Sequence, residues 1–134
     1  MDLRKYKFYK GMNIVKNKLS SVGKHLEIWG RLDYEKYVLV MFNANRWRSC
    51  RKEPKTVEWI ETFSPSDISY DIGACVGSYS LLMSKYCKEV FAFEPASFNF
   101  NILSKNILEN LNRKLTLNNI HQFNVAISDS TCLP

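Results

Sequence analysis

Residues 70–80 read YDIGACVGSYS, and no other stretch restricts the fold as strongly. An apolar run over 68–72 breaks at Gly73-Ala74-Cys75-Val76-Gly77, and Tyr79, Leu82, Met83 and Tyr86 then recur at helical spacing. The pattern predicts a buried strand that enters a helix through a glycine turn. Glycines allow a tight bend, let a ligand approach the backbone without meeting a Cβ, and leave N–H groups free to point outward. Such a turn is a niche of nucleotide size.

Carboxylates flank it. Asp71 lies two residues before Gly73, and Glu94 closes the next apolar run, seventeen residues after Gly77. An acid at the end of the second strand of a doubly wound sheet meets a ribose diol, whose two hydroxyls can both donate to it. The pyrophosphate fingerprint G-x-G-x-x-G is absent, and Asp71 would place negative charge beside the phosphates of a dinucleotide. The turn suits a cationic, ribose-bearing ligand instead. S-adenosylmethionine, with its ammonium and sulfonium, is one.

Four blocks, EPKTVEWI (53–60), YDIGACVGSYSLL (70–82), VFAFEPASFNFNILSKNI (90–107) and NVAISD (124–129), follow one another in the chain. With them the sequence resembles the S-adenosylmethionine-dependent methyltransferases of FkbM type over about residues 53–129. The resemblance implies an α/β fold: the N-terminal half of a Rossmann-like class I methyltransferase sheet, strands 1–3 with crossover helices, from a full order of 3-2-1-4-5-7-6. It implies that Asp71 faces the methionine ammonium, and that Gly73, Ala74, Cys75 and Gly77 line the methionine and ribose. Glu94 would hold the ribose hydroxyls, Pro95 and Phe98 would pack near the adenine edge, and residues 126–129, Ala126 and Ser128 among them, would border the adenine. One position departs, since the family usually has Asn where this chain has Cys75.

Net charge is +6 over 134 residues, and all the excess sits in residues 1–25, which hold seven Lys or Arg against Asp2. The remainder carries twelve charges of each sign, so no uniformly basic face is indicated there and nucleic acid is disfavoured as a partner. Cys50, Cys75, Cys87 and Cys132 are irregularly spaced and His25 is far from His121. That pattern fits neither a zinc site nor a disulfide framework, and reduced thiols in a cytoplasmic setting are expected. Cys75 reads as a small residue tolerated in a tight turn. No apolar run approaches the roughly 20 residues of a membrane span.

Residues 1–52 are expected as a preface, and 53–134 as the cofactor-binding unit. In the preface, Phe8, Met12, Val15, Leu19 and Val22 predict a basic amphipathic helix over 3–22, weakened by Gly11. A small β-rich segment follows, with a strand over 34–42; Trp29 and Trp47, near Arg46, Arg48 and Arg51, are expected to cap a core. Beyond it, Pro54 opens a helix bearing Trp59, Ile60 and Phe63. Ser78 is expected to cap the helix after the turn, which runs to about Cys87. A strand over 89–94, a helix over 97–110 burying Phe100, Leu103 and Ile107, and a strand over 121–127 complete two β-α-β units.

The expected activity is methyl transfer to a hydroxyl of a sugar, polyketide or similar small molecule, with S-adenosyl-L-methionine as cofactor. An RNA methyltransferase is the alternative enzyme, and a non-catalytic cofactor-binding fragment the alternative without chemistry. The resembled fold has further strands beyond its third, and an apolar first strand left at an edge invites aggregation. An N-terminal fragment, or half of a split protein completed by a C-terminal half on another chain, is therefore expected.

Overall fold

The computed structural model describes residues 8–9, 12–19, 26–42 and 46–130. The preface is an antiparallel sheet in the order β1 (Phe8–Tyr9), β2 (Met12–Leu19), β3 (Leu26–Arg31) and β4 (Val40–Phe42). The helix predicted over 3–22 is thus replaced by strands where residues are described; 3–7, 10, 11 and 20–22 lie outside them. Helical spacing of five apolar residues was the misleading signal. Ile14 and Val15 are β-branched and favour a strand. A register shift between Ile14 and Lys16 also breaks the strict alternation that would have announced one.

Of the strand expected over 34–42 only Val40–Phe42 forms. The preceding residues loop inward instead, closed by a hydrogen bond from the Leu32 N–H to the Leu39 carbonyl (2.9 Å). Asp33 in that loop accepts from the N–H groups of Cys50 and Arg51 (3.0 Å each). It thereby satisfies orphan donors of α1 (Ser49–Lys52), a short helix that the sequence did not announce. Trp29 is buried and Trp47 packs against the core, as expected of core-capping residues.

The second part follows its expected order: α2 (Pro54–Ile60), β5 (Ile68–Ile72), α3 (Ser78–Met83), β6 (Glu89–Phe93), α4 (Ser97–Asn112) and β7 (Ile120–Phe123). β5, β6 and β7 form a parallel sheet in that order, with Asp71 beside Ala92 and Ile72 beside Phe93. Strand alternation sends Ser69, Asp71, Val90, Ala92 and Ile120 toward the face on which α3 and α4 pack. The other face carries Tyr70, Phe91, Phe93, His121 and Phe123, whose rings stack at centroid distances from 4.9 to 6.4 Å. Tyr70 and Ile72 on it are more than 60% exposed, so this face is apolar and open among the described residues.

Preface and parallel sheet share one core: Leu32, Leu39 and Met41 pack with Ile60, Leu81 and Leu103. Two fully buried asparagines on α4 fasten them. Asn110 accepts from the Val40 N–H (2.9 Å) and donates to the Val40 carbonyl (2.6 Å), while Asn106 accepts from the Phe42 N–H (2.6 Å) and donates to the Val76 carbonyl (2.7 Å). Four residues of helix rise about 6 Å and two residues of strand about 6.8 Å, so i, i+4 on α4 matches i, i+2 on β4. The side-chain amides stand where a further strand would pair and close the β4 edge.

Candidate functional site

The turn between β5 and α3 is built from left-handed residues at alternate positions: Gly73 (φ +80°), Cys75 (φ +53°) and Gly77 (φ +93°). Gly77 is needed twice, because a Cβ there would also come within 2.5 Å of Leu103 Cδ1 on α4. Gly77, with no side chain to offer, occupies the N-cap of α3, and Ser78 does not cap it as expected. The buried Ser78 Oγ instead donates to Met41 Sδ (3.6 Å) and lies 3.0 Å from Ser49 Oγ, tying the turn to the preface.

Four of the five backbone N–H groups of residues 73–77 are engaged within the chain and are not free to point outward as the sequence suggested. Those of Gly73 and Ala74 both donate to the Phe93 carbonyl (2.9 Å each), that of Gly77 to the Ala74 carbonyl (2.9 Å), and that of Cys75 to Glu94 Oε2 (2.8 Å). A phosphate cradle needs such donors free. With them engaged, the strongest unneutralised feature of the turn is the carboxylate of Asp71.

Asp71 is half-buried on the helix-covered face, where Ser80 Oγ donates to its Oδ2 (2.5 Å). Burial pushes its pKa above the ordinary carboxyl value, the Ser80 hydrogen bond pulls it back, and the negative charge of Glu94 adds to the rise. Glu94 is itself buried at the end of β6. Its second oxygen accepts from the Ala96 N–H (2.9 Å), and both oxygens keep lone pairs for further donors.

Asp71, Gly73, Ala74 and Cys75 line a cavity of about 400 Å³. Its other wall is made by Arg46, Ser49, Lys52, Glu53 and Thr56, all from the preface and the start of α2, none of which the sequence singled out for this wall. They lie 17 to 27 residues before Gly73, and no local pattern links them to the turn. Gly77, Glu94, Pro95, Ala126 and Ser128 are not on the cavity wall. Glu94 reaches the turn from β6 through Cys75. Pro95 and Phe98 are exposed just beyond it, Phe98 by 74%.

Ala126 and Ser128 are exposed after β7, which ends at Phe123 and not at 127. Asn124 draws that segment to the strand ends by donating to the carbonyls of Glu94 (2.8 Å) and Pro95 (3.1 Å). His121 pairs with Glu89 (2.7 Å) toward the opposite end of the strands, so it stands apart from the site. Cys50, Cys75 and Cys87 are free thiols, and burial beside Asp33 pushes Cys50 up to about 12. Cys132 and His25 lie outside the described residues.

An L-residue in the left-handed region is disfavoured by about 1–2 kcal/mol, least so for Asn. The variant Cys75→Asn is therefore expected to stabilise the chain by roughly 0.5–1 kcal/mol. Urea unfolding checks this, and an unchanged midpoint would contradict it.

Solved structures share this fold. TYW2 from M. jannaschii, in complex with AdoMet, superposes with a TM-score of 0.55 at 21% identity, over 75% of this chain and 43% of that one. The M. jannaschii tRNA m1G37 methyltransferase gives 0.53 at 20% identity, over 75% and 30%. Trm5b from Pyrococcus abyssi gives 0.52 at 20%, over 80% and 34%. The fold is that of Rossmann-like methyltransferases. This chain spans less than half the length of each of these structures. No protein-family model and no curated protein matches the sequence.

Proposed function

We propose that the chain is the cofactor-binding part of an S-adenosylmethionine-dependent methyltransferase. What carries this reading is the fate of the turn's N–H groups. The N–H groups of Gly73, Ala74, Cys75 and Gly77, engaged by Phe93, Glu94 and Ala74, are not available to a phosphate, while Asp71 offers a cation a partly desolvated carboxylate. Bound there, the cofactor supplies an activated methyl group on its sulfonium. Asp71 would hold the ammonium, and residues 73–77 would border the methionine and ribose. The free lone pairs of Glu94 would accept from the ribose hydroxyls. Pro95, Phe98, Ala126 and Ser128 would form the exposed shelf for the adenine.

The four sequence blocks favour an FkbM-type enzyme that methylates a hydroxyl of a sugar, polyketide or similar small molecule. The acceptor-binding part of the enzyme, on the same polypeptide or another, belongs to the proposal, as does a cytoplasmic setting. A second reading has RNA as the acceptor. It draws on the likeness to a structure described as a tRNA methyltransferase and on the basic excess of residues 1–25. Steep weakening of RNA binding with salt would favour it.

Calorimetric titration of the folded chain with S-adenosylhomocysteine tests the core of the reading. Saturable one-to-one binding, with none for NAD, is expected. A folded sample that ignores S-adenosylhomocysteine, or prefers NAD, overturns it.

A further inference from the structure

The cavity beside the turn has two charged walls, and only the Asp71 wall has been given a role. Arg46, just before α1, and Lys52, at its end, stand on the other. Both side chains are exposed, and neither is in an ion pair among the described residues. Glu53 at the same rim brings the lining to two carboxylates and two cations. A cavity of about 400 Å³ lined by two cations and two carboxylates, with both cations on the wall away from Asp71, is the complement of a zwitterion, not of a simple cation.

The free α-amino acid group is such a zwitterion, with an ammonium and a carboxylate on one carbon. We infer that Arg46 and Lys52 receive the carboxylate of the cofactor's methionine end while Asp71 receives its ammonium. This rests on the function proposed above and deepens it. Arg46 can meet a carboxylate with two parallel N–H bonds, and Lys52 adds a point charge. The preface thereby becomes part of the binding site. Its placement is secured by Asn106 and Asn110, and by Ser49 Oγ lying 3.0 Å from Ser78 Oγ.

The test compares two ligands. S-adenosylhomocysteine carries the amino acid end, and 5′-methylthioadenosine has the same nucleoside without it. The double variant Arg46→Gln/Lys52→Gln is expected to bind S-adenosylhomocysteine about tenfold to a hundredfold more weakly, with 5′-methylthioadenosine unaffected. Arg46→Lys with Lys52→Arg should restore most of the lost affinity. Equal weakening of both ligands would mean a structural role and overturn the inference, as would unchanged binding of both. If neither ligand binds the unsubstituted chain, the cofactor reading fails as well, which separates the two failures.

Discussion

The variant Asp71→Asn is expected to bind S-adenosylhomocysteine about tenfold to a hundredfold more weakly and yet to be more stable than the parent at neutral pH. A hydrogen bond between charged partners contributes about 1.5–3 kcal/mol, and an amide cannot replace the charge that an ammonium seeks. The amide oxygen can still accept from Ser80 Oγ, so the local geometry survives. Stability moves the other way because burial raises the folded pKa of Asp71 above its unfolded value. Below the ordinary carboxyl range Asp71 is protonated whether the chain is folded or not, and parent and variant should unfold alike. As pH rises through that range the unfolded chain releases its proton before the folded one does. Parent stability then falls relative to the variant until the folded pKa is passed, and stays lower above it. Thermal unfolding across this window, beside calorimetry at neutral pH, checks both halves. A variant that binds normally, or is less stable than the parent at neutral pH, refutes this account of Asp71.

The variant Asn110→Ala is expected to lose about 3 kcal/mol or more of stability. It strips partners from the buried N–H and carbonyl of Val40 and one from the Asn106 carbonyl, and each unsatisfied buried group costs about 1–3 kcal/mol. Urea unfolding reads the loss as a lower midpoint at unchanged slope. Because the same amide holds β4 in place, ligand affinity should fall under conditions where the variant is still folded. A loss below about 1 kcal/mol would mean that α4 and β4 hold together without it.

Those asparagines mark where the sequence stopped being legible. The period of α4 was readable from Phe100, Leu103 and Ile107, yet the fully buried positions include Leu103, Asn106 and Asn110, so the packed face is rotated toward the polar side. Apolar periodicity cannot find a helix face whose business is to pair with a strand edge. The parallel sheet, by contrast, was readable almost residue by residue, because glycine, proline and apolar runs punctuate it locally. β7 was overextended since Val125 and Ile127 continue its alternation, although no partner strand is paired with them. The first cavity wall was legible through Asp71 and Gly73. The second was not, because Arg46, Lys52 and Thr56 are brought there only by tertiary packing.

The open aromatic face has one more implication. A strand that is apolar on one side and polar on the other resists slipping by one residue, because the slip would expose its oil and bury its charge. β6 has Val90 and Ala92 on one side and Phe91 and Phe93 on the other, so hydrophobicity alone scarcely distinguishes the two phases. What locks the phase is polar: Gly73 and Ala74 both grip the Phe93 carbonyl, and Cys75 grips Glu94. The loop offered to the ligand is thus also the pawl that stops the strands from ratcheting. A change that loosens it for the sake of binding would carry Asp71 to the wrong side of the sheet.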